Sequence, residues 1–369
     1  MPIDIRSKKS ENFISRELAL QFAPPAYLSQ PTVGVDISAS GVKAVKLVEK
    51  LHGLELEYYT EEKFPASSVP GISPDEQPEI APMLAKLAKE RHIHTANVAF
   101  PEARGYLFEA VVDGENMTEW STGIEQHLDE YVPLPPAEVA FDAIPFLKEG
   151  GKMHMIGLGC SKRVVDDTLS RFKSAGISVK SLESELFALP RALLARGDKE
   201  TVLIVDIGKM STKLFIVSNR LPRIATTLNV GGHAFTLAIQ KYFGVTEDEA
   251  RQVKIEQGLV AGTNSQEYIT SMLSTVSVIR DELLRRIDYW DMKKATTPGY
   301  ESISRTILVG RNANLRGFPE YLETALKMPV ELGDVFVNFA PRAEWVPSID
   351  YFDSLGFGTA IGLALRDHM

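Results

Sequence analysis

The sequence of 369 residues predicts an α/β protein of two lobes, with an α+β subdomain inserted into the first. Three observations predict it. One motif occurs twice: Val35-Asp36-Ile37-Ser38 is followed by Lys43, and Val205-Asp206-Ile207-Gly208 by Lys213. The copies lie 170 residues apart (206 − 36), and in each the Lys comes seven residues after the Asp. An apolar run, a few small polar residues and a second run read as strand, tight turn and return strand. Apolar residues also switch along the chain between two-residue steps and three- or four-residue steps, the periods of strands and helices. Finally, the pattern changes over residues 103–182, which read strand, helix, strand, strand, helix, strand and can bury a small core of their own.

Each element follows from its local pattern. Residues 31–48 read as the first hairpin, and a further strand is predicted near 54–64. Residues 65–78 are rich in Pro and Ser and read as a loop, after which Met83, Leu84, Leu87 and Ala88 take helical spacing. Asn97-Val98-Ala99-Phe100 is a short buried strand closed by Pro101. Within the insertion, strands are predicted near 106–112, 139–146, 153–160 and 177–182; Gly176 suits the C-terminal cap of its second helix. Residues 183–196 read as a helix leading into the second hairpin, whose later strands flank a Ser218-Asn219-Arg220 turn. Gly231-Gly232 opens an amphipathic helix that Gly244 ends, and Thr246 with Glu249 forms a capping box for a helix running to Gly258. Ile269, Met272, Val276, Ile279, Leu283, Ile287 and Trp290 define one long helix. A strand near 306–310, a helix carrying Phe318 and Leu322, and a small-residue helix over 356–366 packed closely on a sheet complete the chain.

Composition narrows the function. Apolar residues make up 44% and charged residues 24%, which is ordinary for a globular protein. A net charge of −9 argues against a nucleic-acid partner. Cys160 is the only cysteine, so no disulfide forms within the chain, and a cytosolic setting fits. The sequence holds no run of about 18 apolar residues, the length of a membrane span, and Asp4, Arg6, Lys8 and Lys9 interrupt any signal-peptide pattern. Ile14, Leu18 and Phe22 are spaced as on an amphipathic helix; residues 1–30 are read as a tail rather than an anchor.

Two such hairpins facing each other would cradle a polyphosphate from both sides, with Asp36 and Asp206 placed for a hydrated Mg²⁺. Asp36, Ser38, Ser40 and Lys43 form one candidate wall; Asp206, Gly208, Ser211 and Thr212 form the other. Gly231, Gly232, Lys254, Gly310 and Asn312 are candidates for the nucleoside pocket. Glu185, at the start of the joining helix, and Asp206 are the candidate catalytic carboxylates, Glu185 as the group that orients water. As ordinary structure, the same residues are a turn Asp, strand hydroxyls and a Glu on a helix dipole. The repeat favours function, because chance must produce the motif twice.

This plan resembles that of the actin/Hsp70/sugar-kinase superfamily. The ordered set Val33 to Ser38, the insertion, Val205 to Gly208, Val230-Gly231-Gly232-His233-Ala234-Phe235-Thr236, Ile307-Leu308-Val309-Gly310 and Gly356 to Arg366 is similar to the PilM family of type IV pilus assembly. The insertion also resembles that of FtsA, whose C-terminal membrane helix has no counterpart after residue 366. The resemblance implies an actin-like ATPase fold of duplicated RNase H-like subdomains. Its expected parts are a tail (1–30), subdomain IA (31–102 and 183–200), inserted subdomain IC (103–182), subdomain IIA (201–241 and 301–369) and subdomain IIB (242–300). It also implies ATP and Mg²⁺ as ligands. The implied partner is a PilN-like inner-membrane protein, held by its cytoplasmic N-terminal peptide between the first subdomain and the insertion. Membrane contact is then indirect, nucleic acid is no partner, and self-association is left open. Ser38, Arg251, Lys209, Met210 and the Gly310-Arg311-Asn312 loop depart from relatives, so at most a weak ATPase is expected. The alternatives are a nucleotide-independent scaffold of the same machine, an FtsA-like division protein and, further off, a small-molecule kinase.

Overall fold

The structure is a computed structural model and describes residues 2–3, 32–64, 77–260, 266–297 and 299–369. The strands in chain order begin with β1 (Pro2–Ile3), β2 (Val33–Ser38), β3 (Gly41–Lys50), β4 (Gly53–Lys63) and β5 (Thr95–Phe100). The insertion adds β6 (Gly105–Val112), β7 (Val139–Glu149) and β8 (Lys152–Ser161). Then follow β9 (Ser178–Ser184), β10 (Thr201–Ile207), β11 (Thr212–Ser218), β12 (Leu221–Leu228), β13 (Ile303–Val309) and β14 (Val330–Leu332).

The internal repeat extends well beyond the motif that announces it. The first sheet runs β1-β9-β5-β2-β3-β4 and the second β12-β11-β10-β13-β14. In each, three antiparallel strands form a meander, and a crossover returns the chain parallel to the meander's first strand: β5 beside β2, β13 beside β10. A further parallel strand then joins outside it, β9 on β5 and β14 on β13. The β11–β12 turn places Asn219 and Arg220 at φ 51° and 63°. Both central residues are thus left-handed, as the twist of a two-residue hairpin requires.

Two helices bring the lobes together. Helix Glu185–Leu193 leaves the first sheet, and helix Gly358–Ala364 packs on it and on β2. Glycine permits that packing. A Cβ on Gly34 would lie 2.1 Å from the Ala360 carbonyl oxygen, and one on Gly362 would lie 1.8 Å from that of Ala188. The closing helix is expected with the second lobe, yet its fully buried residues lie against β2, β3 and β5 of the first sheet. Between β14 and that helix the chain crosses to β4, where the Ala340 N–H donates to the Leu54 carbonyl (2.9 Å). The Asn338 amide donates to the Arg191 and Leu194 carbonyls and closes the end of helix Glu185–Leu193.

The insertion has its own core of Phe108, Ala110, Val112, Ile124, Leu128, Val132, Val139, Ala143 and Met155. Its sheet, β6-β8-β7, has three strands. The fourth strand expected there, near 177–182, is β9, which pairs in parallel with β5 of the first sheet. Sequence alternation cannot distinguish the two, because it fixes which face is buried and not which neighbour pairs. Phe172, on helix Lys162–Ser174, likewise sits in the main core. Arg223 on β12 fastens the insertion to the second lobe. Its Nε donates to Glu109 (2.7 Å), and its guanidinium lies over the rings of Phe146 (4.2 Å) and Tyr300 (4.5 Å).

Capping signals read from the sequence are in place. Thr246 and Glu249 form the capping box of helix Glu247–Gln257, and Gly244 is the left-handed cap of helix Gly232–Phe243. The long helix spans Gln266–Thr296. The amphipathic spacing over 11–22 lies outside the described residues, as does most of the 65–78 loop. No described helix is long and apolar enough to cross a membrane.

Candidate functional site

Both repeats place the Lys directly opposite the Asp across their hairpin: Asp36 faces Lys43, and Asp206 faces Lys213. A seven-residue separation across a tight turn gives this register, and opposed residues share a face. The two hairpins converge. Asp36 is buried close enough to Asp206, Glu185, Lys43 and Lys213 for the charge of each to act on it. Burial is the largest influence and pushes the Asp36 carboxyl up to about 6; Glu185 and Asp206 push the same way against the two lysines. Burial also raises the Asp206 carboxyl, with Lys213 opposing and Glu185 assisting.

The two lysines differ in their partners. Lys43 Nζ donates to the Gly356 carbonyl at 2.5 Å, and burial lowers its pKa. Lys213 Nζ lies 2.5 Å from Glu185 Oε2 and 4.0 Å from Asp206 Oδ2. Burial works against its charge, but Glu185 and Asp206 outweigh it and raise its pKa. Glu185, the first residue of its helix after the Ser184 cap, is 4% exposed. The candidate water-orienting carboxylate is therefore paired with an ammonium.

The first turn is closed by an Oγ–Oγ contact between Ser38 and Ser40 (3.0 Å). In the second, the Gly208 N–H donates to the Ser211 carbonyl (2.9 Å). The start of helix Gly232–Phe243 is docked on that turn. The Gly232 N–H donates to the Gly208 carbonyl and the His233 N–H to the Lys209 carbonyl, at 2.9 and 2.8 Å. A Cβ on Gly231 would lie 2.7 Å from Ser211 N, so only glycine allows this approach. The Thr212 hydroxyl, fully buried, donates to the Val230 carbonyl (2.7 Å). These helix-start donors and Thr212 thus hold the second wall together.

The nucleoside candidates meet on the far side of that wall. Asn312 donates to the Gly208 carbonyl (3.0 Å) and accepts from Lys254 Nζ (2.9 Å), which also reaches the Gly232 carbonyl (3.3 Å). Burial, and next Arg251, lower the Lys254 pKa to about 8. Gly310 has φ 88°, and a Cβ there would sit 2.4 Å from Asp206 Oδ1. Beside it Arg311 makes a bidentate pair with Glu61 of β4, at 3.1 and 3.0 Å, across the mouth of the cleft. Arg311 Nε is buried without a hydrogen-bond partner among the described residues. Sequence reading gave Glu61 no role, placed Gly356 only at the start of the closing helix and noted Lys213 only as part of the repeat; the repeat was the available signal for Lys213.

These groups fit a phosphate-bearing ligand better than a metal. The glycines of the second wall make room for its own turn and helix start, and Arg311 Nε, buried without a hydrogen-bond partner among the described residues, suits an anion. A hydrated Mg²⁺ is held through one or two carboxylates together with phosphate oxygens, and a neighbouring ammonium competes for the same carboxylates. An ammonium about 4 Å from a divalent ion is repelled by about 8 kcal/mol at an effective dielectric constant of about 20. The metal expected on Asp36 and Asp206 is thus opposed by Lys213.

Known proteins share this architecture. A solved structure titled as a PilM-PilN type IV pilus biogenesis complex superposes with a TM-score of 0.74 at 21% identity, covering 91% of this chain and 98% of that one. The fold is actin-like. The cell division protein FtsA of Borreliella burgdorferi is 25% identical over 287 residues, 69% of this chain and 66% of its own length. A family model described as type IV pilus assembly protein PilM matches residues 34–368. Because that match spans both lobes and the insertion, the chain belongs to the PilM family of type IV pilus assembly proteins.

Proposed function

We propose that this PilM-family protein is a cytoplasmic adaptor of the pilus assembly platform, docked at the inner membrane by the N-terminal tail of a PilN-like protein. The family match over residues 34–368 carries the reading. The five-part division of the chain set out above belongs to the proposal, with β9 and the closing helix reassigned to the first subdomain, and with the PilN-like tail between that subdomain and the insertion. ATP is the proposed ligand of the two-hairpin cleft. Lys43, Ser38 and Ser40 would meet its phosphates from one side and the turn at Gly208 and Ser211 from the other. Asn312 and Lys254 would face the nucleoside once Arg311 swings off Glu61. Glu185 is tied to Lys213, which makes the ligand a structural one, with turnover slow at most.

One observation favours the nucleotide-independent scaffold as a second reading: the Arg311–Glu61 pair joins the two lobes across the cleft, and Lys254 is bonded to Asn312 within the second lobe. Calorimetry separates the two, with ATP titrated into wild type and into Lys43→Ala. Binding that weakens about tenfold in the variant supports a ligand; no heat in wild type leaves the scaffold. The partner is tested by a synthetic tail peptide and a deletion of residues 105–161. Gly105 and Cys160 are opposed in the β6–β8 register, so the cut ends are close, and β9 is spared. Retention of the peptide by the deleted protein would place the tail elsewhere.

A further inference from the structure

We propose that Lys213 is the resident cation of the cleft, standing between Glu185 and Asp206, one of the two carboxylates expected to carry a divalent metal, so that this protein holds phosphate without a metal. This deepens the reading of the same cleft and rests on it for the phosphate ligand. The argument begins with the repeat. Register fixes Lys213 opposite Asp206 as it fixes Lys43 opposite Asp36. The backbone at Lys213 is fixed, because its strand is an interior one of the second sheet, between β10 and β12. Its ammonium is 2.5 Å from Glu185 and 4.0 Å from Asp206, and those side chains are 6% and 17% exposed.

Charge counting gives the consequence. Asp36, Glu185 and Asp206 carry three negative charges when ionised, and Lys43 and Lys213 carry two positive ones, which leaves one negative charge. The lysines do different work. Lys43 is bonded to a neutral carbonyl and can turn to an incoming phosphate. Lys213 is bonded to a carboxylate and neutralises the wall behind it. Glu185 Oε2 is occupied by the ammonium and is not free to orient a water, so the same contact keeps a bound nucleotide intact.

The test uses full-length protein and Mn²⁺ as the probe, read by loss of the free-ion paramagnetic resonance signal, with no nucleotide present. Wild type is expected to leave that signal undiminished. Lys213→Ala exposes two buried carboxylates and is expected to bind Mn²⁺ at least tenfold more tightly than wild type. Adding Asp206→Asn to it should abolish the gain. Lys213→Gln, close to Lys in length, stands in if the alanine variant does not fold by circular dichroism. Stoichiometric Mn²⁺ uptake by wild type overturns the proposal, as does a folded Lys213 variant that binds no more than wild type. Absence of ATP binding in a separate titration would remove the nucleotide reading and leave these outcomes unaffected.

Discussion

Replacing Asp36 by Asn should stabilise the protein at neutral pH and lose that advantage in acid. The carboxyl is buried between two lysines and two carboxylates, and burial dominates, lifting it from an ordinary 3.8 to about 6. A group raised by about two units disfavours its own ionised form in the folded state by about 3 kcal/mol, at about 1.4 kcal/mol per unit. The sign follows from proton binding. Between pH 3.8 and 6 the folded state holds the proton that the unfolded state has released. Stability from this group is therefore full below the unfolded value, is lost as pH rises to about 6, and is flat above. Asn mimics the neutral acid at every pH. The variant should gain about 3 kcal/mol at pH 7.5 and only about 1 kcal/mol at pH 4.5. With an unfolding entropy near 2.1 cal/mol/K per residue, the gain at pH 7.5 raises Tm by about 4 °C. Thermal unfolding of both proteins at the two pH values decides it. A variant less stable than wild type at pH 7.5 would show that ion pairing with Lys43 outweighs burial. A gain that persists in full at pH 4.5 would show that the carboxyl is not perturbed.

Two further outcomes concern the frame around the cleft. Gly362→Ala would drive a Cβ to 1.8 Å from the Ala188 carbonyl oxygen and should cost about 3 kcal/mol or more in urea unfolding; a cost below about 1 kcal/mol would mean the two helices are not locked together. Arg311 and Glu61 should show a coupling of about 1 kcal/mol in a double-mutant cycle, because the pair is bidentate with Glu61 only 11% exposed, and hydrogen exchange along β4 should quicken in either single variant.

Periodic and local features were legible along the chain. The repeated Asp–Lys spacing set both hairpin registers, because opposed positions follow from turn length alone. Alternation and helical spacing gave the order of elements, and the caps at Gly244, Thr246 and Gly258 stand where their chemistry marks them. Pairing between distant segments was settled by the folded arrangement. β9 joined the first sheet rather than the insertion, and the closing helix packed on the first lobe, since a buried face does not name its neighbour. The cleft's charges were decided in the same way. Lys213 and Glu185 are 28 residues apart in sequence, and Arg311 and Glu61 are 250 apart. A side chain's charge is legible in its residue type. Whether it meets a ligand or an opposite charge of its own chain depends on where two lobes bring it, and no local pattern encodes that.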